Sequence, residues 1–420
     1  MNLCSKLSVI IYLLSLSLYA GHSCDLQENS FDAVGYVNDW REASGLPRLK
    51  SNGYLKRAAL NHSRYRTRYK TGHYEREGDR GFTGKVPSDR AIYVGYPLRY
   101  ASENIAEAPT AQSGVESLMT AIYHRFGFLN YSIDEMGMAR APIKGHPNSI
   151  YTFVMGNSLL AKECRHSTYR QETSYYYKLC KNRRQKVAVS RKNYLDREIT
   201  LHKPKFIIYP YANAHNVLPA FYEEHPDPLP RYTMVGNPIS VEFHPRYKKS
   251  KIEIRDVKLW DVNAAKSIPL IVLYKRNDPN KKLEATQFAF FPKRRLEWGR
   301  SYEAKVTYKI SSESYSDDIS WGFTTKKLPS LIRVDKKHYK FAVKANHTYT
   351  LYFKPHVRDA KNHQSVNAQF GYRYYAGSKM NHEVIDSMTI KVCLHGKKGD
   401  VFKIRNGATL NQQEVELILK

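Results

Sequence analysis

The sequence predicts a multidomain protein: a mixed α/β unit, then an all-β sandwich, then a small C-terminal β domain. Three observations predict this. A chain of 420 residues is too long for one ordinary core, so two or three domains are expected. Helical periodicity dominates the first part of the chain, and from Lys205 onward the hydrophobic period becomes two. Hydrophobic residues make up 42% and charged residues 25%, as in globular protein, which excludes a largely disordered chain.

Residues 1–23 read as a secretory signal peptide. Lys6 supplies the positive n-region, and Leu7 to Tyr19 is an apolar run of h-region length, short for a membrane span. Gly21-His22-Ser23 places small residues ahead of Cys24. No later run is long enough to cross a bilayer as a helix. The expected location is therefore the periplasm, the cell surface or the medium. Cys24 is a candidate lipidation site, although Gly21 stands where such sites usually carry Leu. In an oxidising compartment Cys164 and Cys180 are the candidate disulfide. Cys24 and Cys393 stay open between free, paired and lipidated states.

Lys and Arg total 67 against 39 Asp and Glu, a formal charge of +28. Such a charge attracts polyanions, whether nucleic acid, anionic lipid or acidic polysaccharide. The export signal disfavours nucleic acid and leaves an anionic surface as the expected partner. The excess is uneven: residues 161–200 hold eleven Lys/Arg against four acids. The plain alternative is a solvated basic surface with no specific partner.

Phe31, Val34, Val37 and Trp40 recur three apart and predict a helix over 31–43, stopped by Gly45-Leu46-Pro47. Tyr54–Tyr69 is a second helix, with Leu55, Ala58, Ala59 and His62 on one side. Val115, Leu118, Met119, Ile122, Tyr123 and Phe126 form one complete amphipathic stripe, a third helix. A Gly-, Pro- and Asp-rich loop spans 78–97, and Tyr151–Met155 reads as a buried strand. This mixture fits either an α+β or a three-layer α/β/α unit. Residues 161–204 read as a basic connector, a helical hairpin closed by the two cysteines. Seven strands follow, at 206–209, 239–243, 252–259, 269–274, 288–291, 302–310 and 321–324, separated by turn signals such as Asn277-Asp-Pro-Asn. Their spacing predicts a β-sandwich over 205–326. Strands at 349–353, 387–393 and 414–419 give the small β domain of 327–420. No internal repeat links the domains.

Residues 31–160 resemble the CAP superfamily of cysteine-rich secretory, antigen 5 and pathogenesis-related 1 proteins. The resemblance rests on NDWREASGLPRLKSNGYLKRAALNHSRY, TGHYE, SENIAEA and YTFVMGN in that order. Its bacterial extracellular members share the GFTGKVPSDR loop and the IYHRFGFL helix. The resemblance implies an α/β/α sandwich with a surface cleft, in which eukaryotic members often carry two His and two Glu, sometimes around a divalent metal. His73 matches the first His and Glu103 the first Glu. Ile150 stands at the second His, and a small residue near Ala121 at the second Glu. Half the tetrad is missing. A Zn²⁺ site wants three or four N, O or S ligands, so His73 and Glu103 are weak metal candidates and no cofactor is required.

His124 and Glu135 are candidates to complete the cleft. On one continuous helix His124 lies about 180° from Val115, facing either cleft or solvent. Glu135 follows the helix, where it would cap it or pair with Arg125. A His beside a carboxylate suits general-base chemistry, but no G-x-S-x-G or H-E-x-x-H motif accompanies it. The structural alternative makes Glu103-Asn104 a brace that ties down backbone. Glu223, Glu224, His225 and Asp227 resemble a ligand cluster, but EEHPDPLP reads more simply as a turn. The sequons at Asn61, Asn130 and Asn346 carry little weight in a chain of bacterial look.

The stretch from Lys293 to Val306 before Ile319-Ser-Trp-Gly-Phe-Thr-Thr is similar to the closing pattern of bacterial immunoglobulin-like modules, which often serve as spacers or adhesive units. Three functions follow. The first is a binding protein taking a lipid, glycan or protein ligand. The second is an envelope hydrolase acting on protein or peptidoglycan. The third is a structural adhesin.

Overall fold

The structure, a computed structural model, describes residues 31–166, 172–361, 369–410 and 412–420. The signal peptide and the candidate lipidation site Cys24 lie outside the described residues.

The first domain is a four-stranded sheet between two helical layers. Its elements are α1 (Ala33–Ala43), β1 (Lys50–Ser51), α2 (Gly53–Arg66), α3 (Pro87–Tyr93), β2 (Ser102–Ala108), α4 (Ala111–Thr120), α5 (Ile122–Phe128), β3 (Glu135–Pro142) and β4 (Ser149–Gly156). The strand order is β1-β3-β4-β2, with β4 antiparallel to both neighbours. The helix starts carry local reasons. Asp32 accepts from the Gly35 N–H, Asn52 from those of Tyr54 and Leu55, and Thr110 from that of Ser113, while Pro87 opens α3.

All eight residues of β4 are buried, because each face of the sheet is covered. Tyr151, Phe153 and Met155 pack with Val37, Trp40, Val115 and Leu118 of α1 and α4. Val154 packs on the opposite side with Leu55, Ala58, Ala59 and Ala91 of α2 and α3. Gly137 lets α2 lie close against β3: a Cβ there would meet the Lys56 backbone nitrogen at 1.9 Å.

The single stripe expected over Val115–Phe126 is two helices. The chain becomes extended at Ala121, with φ −79° and ψ 113°. The physical reason is that its halves serve different cores. Val115, Leu118 and Met119 face the sheet. Ile122 and Phe126 pack against Phe221, Leu229, Val235, Leu273 and Phe291 of the next domain.

The segment read as a connector is built onto the first domain. It comprises α6 (Ser158–His166), β5 (Tyr175–Tyr176), β6 (Val187–Ala188) and α7 (Val189–Glu198). Two helices are present as expected, with a short strand pair between them. Cys164 and Cys180 are disulfide-bonded, their Cα atoms 5.3 Å apart. Both are buried with Leu160, Val187 and Leu195 against Leu55, Tyr96 and Leu98. Cys393 is likewise disulfide-bonded.

The middle region is a two-sheet β-sandwich. Its strands are β7 (Phe206–Tyr209), β8 (Ala214–Val217), β9 (Ala220–Phe221), β10 (Val235–Gly236), β11 (Ile239–Phe243), β12 (Ile252–Asp261), β13 (Lys266–Ser267), β14 (Leu270–Tyr274), β15 (Gln287–Pro292), β16 (Ser301–Ile310) and β17 (Ser316–Thr325). One sheet runs β14-β15-β11-β7 and the other β13-β12-β16-β17-β8. β16 alternates in burial as a half-covered strand should, but every residue of β11 is buried. Ile239, Val241 and Phe243 face the sandwich core, while the first domain covers the other face of β11.

Arg125 locks that contact. Its guanidinium donates to Pro238 O (2.8 Å), Ser240 Oγ (3.1 Å) and Asn237 Oδ1 (3.0 Å), and lies 3.6 Å from the centre of the Tyr209 ring. Glu135 is therefore not its partner. Tyr131 adds a hydrogen bond to Glu242 O, and Trp40 packs on Tyr209 and Tyr211.

The C-terminal region holds two four-stranded sheets enclosing Val334, Leu351, Phe353, Ile390, Phe402 and Leu417. It joins the sandwich through Trp298 Nε1 donating to Thr389 Oγ1 at 3.1 Å and an Arg295–Asp386 pair at 2.5 Å.

Candidate functional site

β2 sends successive side chains to opposite faces of the sheet. Glu103 points toward α2 and α3, where Arg90 Nη2 donates to both of its oxygens at 2.8 Å. Asn104 points the other way and donates to His124 O at 2.8 Å, bracing the start of α5. The brace and the site thus coexist in neighbouring residues.

His73, in the loop after α2, places Nδ1 3.0 Å from Glu103 Oε1. His62 of α2 stands behind, with Nδ1 2.9 Å from Glu75 and Nε2 3.7 Å from Glu103. Burial alone would raise the Glu103 carboxyl. The charge of Arg90, the hydrogen bond from His73 and the nearby His62 outweigh burial and hold it down to about 2. Glu103 is thus a fixed anion with its charge already matched.

The fourth group comes from the neighbouring domain. α5 begins at Ala121, which has no capping side chain. Glu224 supplies the missing acceptor, taking the Tyr123 N–H at 3.2 Å and His124 Nδ1 at 2.9 Å. Burial raises the Glu224 carboxyl, and His124 only partly offsets it. The loop that carries Glu224 is pinned at its feet by β9 and β10, where Phe221 pairs with Val235. Within it Asp227 accepts from the Leu229 N–H, and Asn280 holds Asp227 O at 2.6 Å. EEHPDPLP is therefore a turn, as its prolines suggest, and also a wall of the cleft.

The result is two carboxylate-anchored imidazoles whose ring centres are 6.0 Å apart, with planes inclined by 28°. They lie in an open cleft of about 540 Å³ that Arg66, Lys70, Glu107, Glu223 and His225 also line. Among the described residues no group of three or more His, Cys, Asp or Glu is arranged to hold a metal ion. Three hydroxyl-bearing residues line the wall: Ser117 Oγ donates to Gly114 O, Thr120 Oγ1 donates to Ser117 O, and the Tyr222 hydroxyl is buried.

Of the sequence candidates, His73, Glu103 and His124 come together. Glu135 does not join them. It starts β3, where Asn52 Nδ2 (2.8 Å) and Tyr96 OH (2.6 Å) hold its two oxygens. Glu224 was the residue that sequence reasoning set aside; with Val115–Phe126 read as one helix, the uncapped start of α5 that needs an outside acceptor shows only in the structure.

Residues 34–156 match the sequence model of the cysteine-rich secretory protein family, CAP. No curated protein matches the chain. Among solved structures, an outer surface protein of Borrelia burgdorferi is 17% identical, covers 33% of this chain and 98% of its own, and has a TM-score of 0.27. The chaperone–tip adhesion subunit complex of archaic Csu pili from Acinetobacter baumannii is 11% identical over 52% of this chain and 100% of that one, with a TM-score of 0.16. Scores this low carry no argument about the site. The family match and the disulfide agree in pointing outside the reducing cytoplasm. No helix among the described residues is long and apolar enough to cross a membrane.

Proposed function

We propose that the protein is an exported binding protein of the cell envelope or extracellular space, and that a lipid, glycan or protein ligand enters the cleft between its first two domains. The observation that carries this reading is the Glu224–His124 contact, by which the second domain completes the cleft of the first. A site closed by an interdomain loop is a fixed concave surface, which suits recognition. The Ser117 and Thr120 hydroxyls are committed to backbone, and among the described residues no Ser, Thr or Cys side chain is hydrogen-bonded to either imidazole.

Residues 205–326 serve in this reading as an immunoglobulin-like module. With β8, β9, β10 and β13 set aside, β7, β11, β14 and β15 form one sheet and β12, β16 and β17 the other, the distribution of first, second, fourth and fifth against third, sixth and seventh strands that such modules have. The basic surface would hold the protein near anionic envelope polymers.

A second reading, a hydrolase, is favoured by one feature. Each imidazole lines the cleft with Nδ1 on a carboxylate and Nε2 without a hydrogen bond among the described residues, an arrangement that suits a general base activating water.

Binding of full-length protein to isolated envelope material, at low and high salt, tests the first reading. We expect His73→Ala/His124→Ala to weaken binding about tenfold or more at both salts, a change of about 1.4 kcal/mol. Equal binding by parent and variant, with salt alone removing both, would locate the interaction on the basic surface instead. A turnover abolished by the same substitutions would establish the hydrolase. Glu103 is a poor probe, because its loss removes the closer carboxylate of the buried Arg90 and leaves it only Glu75 at 3.8 Å.

A further inference from the structure

Resting on the reading of the cleft as a recognition site, we infer that its ligand presents a phosphate group, taken by the Arg66 guanidinium together with the Nε2 atoms of His73 and His124.

Three arginines of the first domain are fully buried, and each donates hydrogen bonds to fixed acceptors, although Arg90 Nε has none. Arg41 donates to the carbonyls of Pro47, Phe128 and Asn130, Arg90 grips Glu103, and Arg125 reaches into the sandwich. Arg66, the last residue of α2, lines the cleft and, unlike them, makes no side-chain hydrogen bond among the described residues. Its Nε is buried with no hydrogen-bond partner, and no ion pair of Arg66 forms among the described residues. An unmet buried N–H costs about 1–3 kcal/mol, and more when the group is charged. Glu107 and Glu103 attract Arg66 through space. Glu103, however, is already held by Arg90 and His73.

The donors around the opening come from separate segments. Arg66 ends α2, Lys70 and His73 lie in the loop after it, and His124 is on α5. A planar carboxylate is saturated by the guanidinium fork alone. A tetrahedral anion with three or four oxygens can engage the fork and still reach the imidazoles and the ammonium. Phosphate also suits the histidines for a second reason. Each Nδ1 already faces a carboxylate, so Nε2 either accepts a proton the phosphate brings or, once protonated, donates to its oxyanion.

Phosphate reaches such a cleft on a soluble ester or on a lipid headgroup, and the test has an arm for each. Full-length protein is titrated calorimetrically with glycerol 3-phosphate and with inorganic phosphate. It is also floated with vesicles of equal parts phosphatidylglycerol and phosphatidylcholine, against phosphatidylcholine alone. The variants are Arg66→Gln, Glu107→Gln and, as a charge-matched control on the exposed β3–β4 turn, Lys144→Gln. We expect Arg66→Gln to weaken binding about tenfold or more. Glu107→Gln should tighten it, and Lys144→Gln should leave it within about twofold of the parent. Dependence on Arg66 in the calorimeter identifies a soluble ester as sufficient, and dependence only in flotation identifies the headgroup in its bilayer. Arg66→Gln and Lys144→Gln behaving alike in both arms overturns the inference, as does a parent that binds neither probe. If His73→Ala/His124→Ala abolishes envelope binding while Arg66→Gln does not, recognition by the cleft stands and phosphate falls. If neither matters, both fall. Thermal melts of each variant separate lost binding from lost fold.

Discussion

Replacing Arg125 with Met should split the unfolding of this protein into two steps and cost about 4 kcal/mol or more. The side chain is buried with no carboxylate within pairing distance, so its charge is balanced by neutral acceptors: Met119 O, Thr120 O, Pro238 O, Ser240 Oγ and Asn237 Oδ1. Methionine follows the arginine stem, is apolar and ends two atoms short of the guanidinium nitrogens. It would leave those acceptors buried and unmet, and would remove the cation lying over Tyr209. The first domain and the sandwich would then melt separately, and Glu224 would no longer be held on His124. Calorimetry should show a second transition in the variant, and Arg125→Lys, which keeps the charge but loses the fork, should fall between it and the parent. A single transition at the parental temperature would mean that the aromatic and apolar contacts join the domains without it.

Glu242 carries the second large effect, with a sign opposite to the ordinary carboxylate. It lies on β11 beneath the first domain, with Gln287 Nε2 on one oxygen at 3.0 Å and no partner on the other. Burial raises its carboxyl to about 8 from an ordinary 4.5, the Gln287 hydrogen bond opposes the rise, Glu284 adds to it and Arg41 opposes it less. The folded state therefore holds this proton more tightly than the unfolded chain. Stability is full below the unfolded value near 4.5, falls as pH rises toward 8, and levels off above. The loss is roughly 3–5 kcal/mol. Glu242→Gln keeps the acceptor for Gln287 and removes the ionisation. Its melting temperature should match the parent below pH 5 and exceed it increasingly up to about pH 8. Parallel curves across that range would show that Glu242 is solvated or paired when ionised.

The sequence carried the elements better than their meetings. α1, α2 and the seven main sandwich strands follow from periods of 3.6 and two, and β4 from its unbroken apolar run. The stripe from Val115 to Phe126 misleads as one helix because hydrophobicity reports that a face is buried, not against which core. β11 misleads differently: Ile239, Ser240, Val241, Glu242 and Phe243 alternate as in a half-exposed strand, yet the first domain buries its polar face too. In the site, His73 and Glu103 were legible from motif order, and His124 from its place off the stripe. Glu135 failed because DEMGM begins a strand whose first side chain turns toward Asn52 and Tyr96. Glu224 stands 100 residues from His124, and only the closure of β9 on β10 decides where its loop points. No local pattern encodes that closure.

The placement of Glu224 also bears on how such a protein can be inherited. The segment that matches the family, 34–156, contains His73, Glu103 and His124 but not their fourth companion. A recombination event that moved that segment into another modular chain would deliver a working scaffold with a half-walled opening. Descendants would have to acquire a new wall from whatever module followed, and each fusion would shape the opening anew. The lineage-defining unit for this site is thus the junction of two modules, and specificity can diverge through the second while the first stays recognisable.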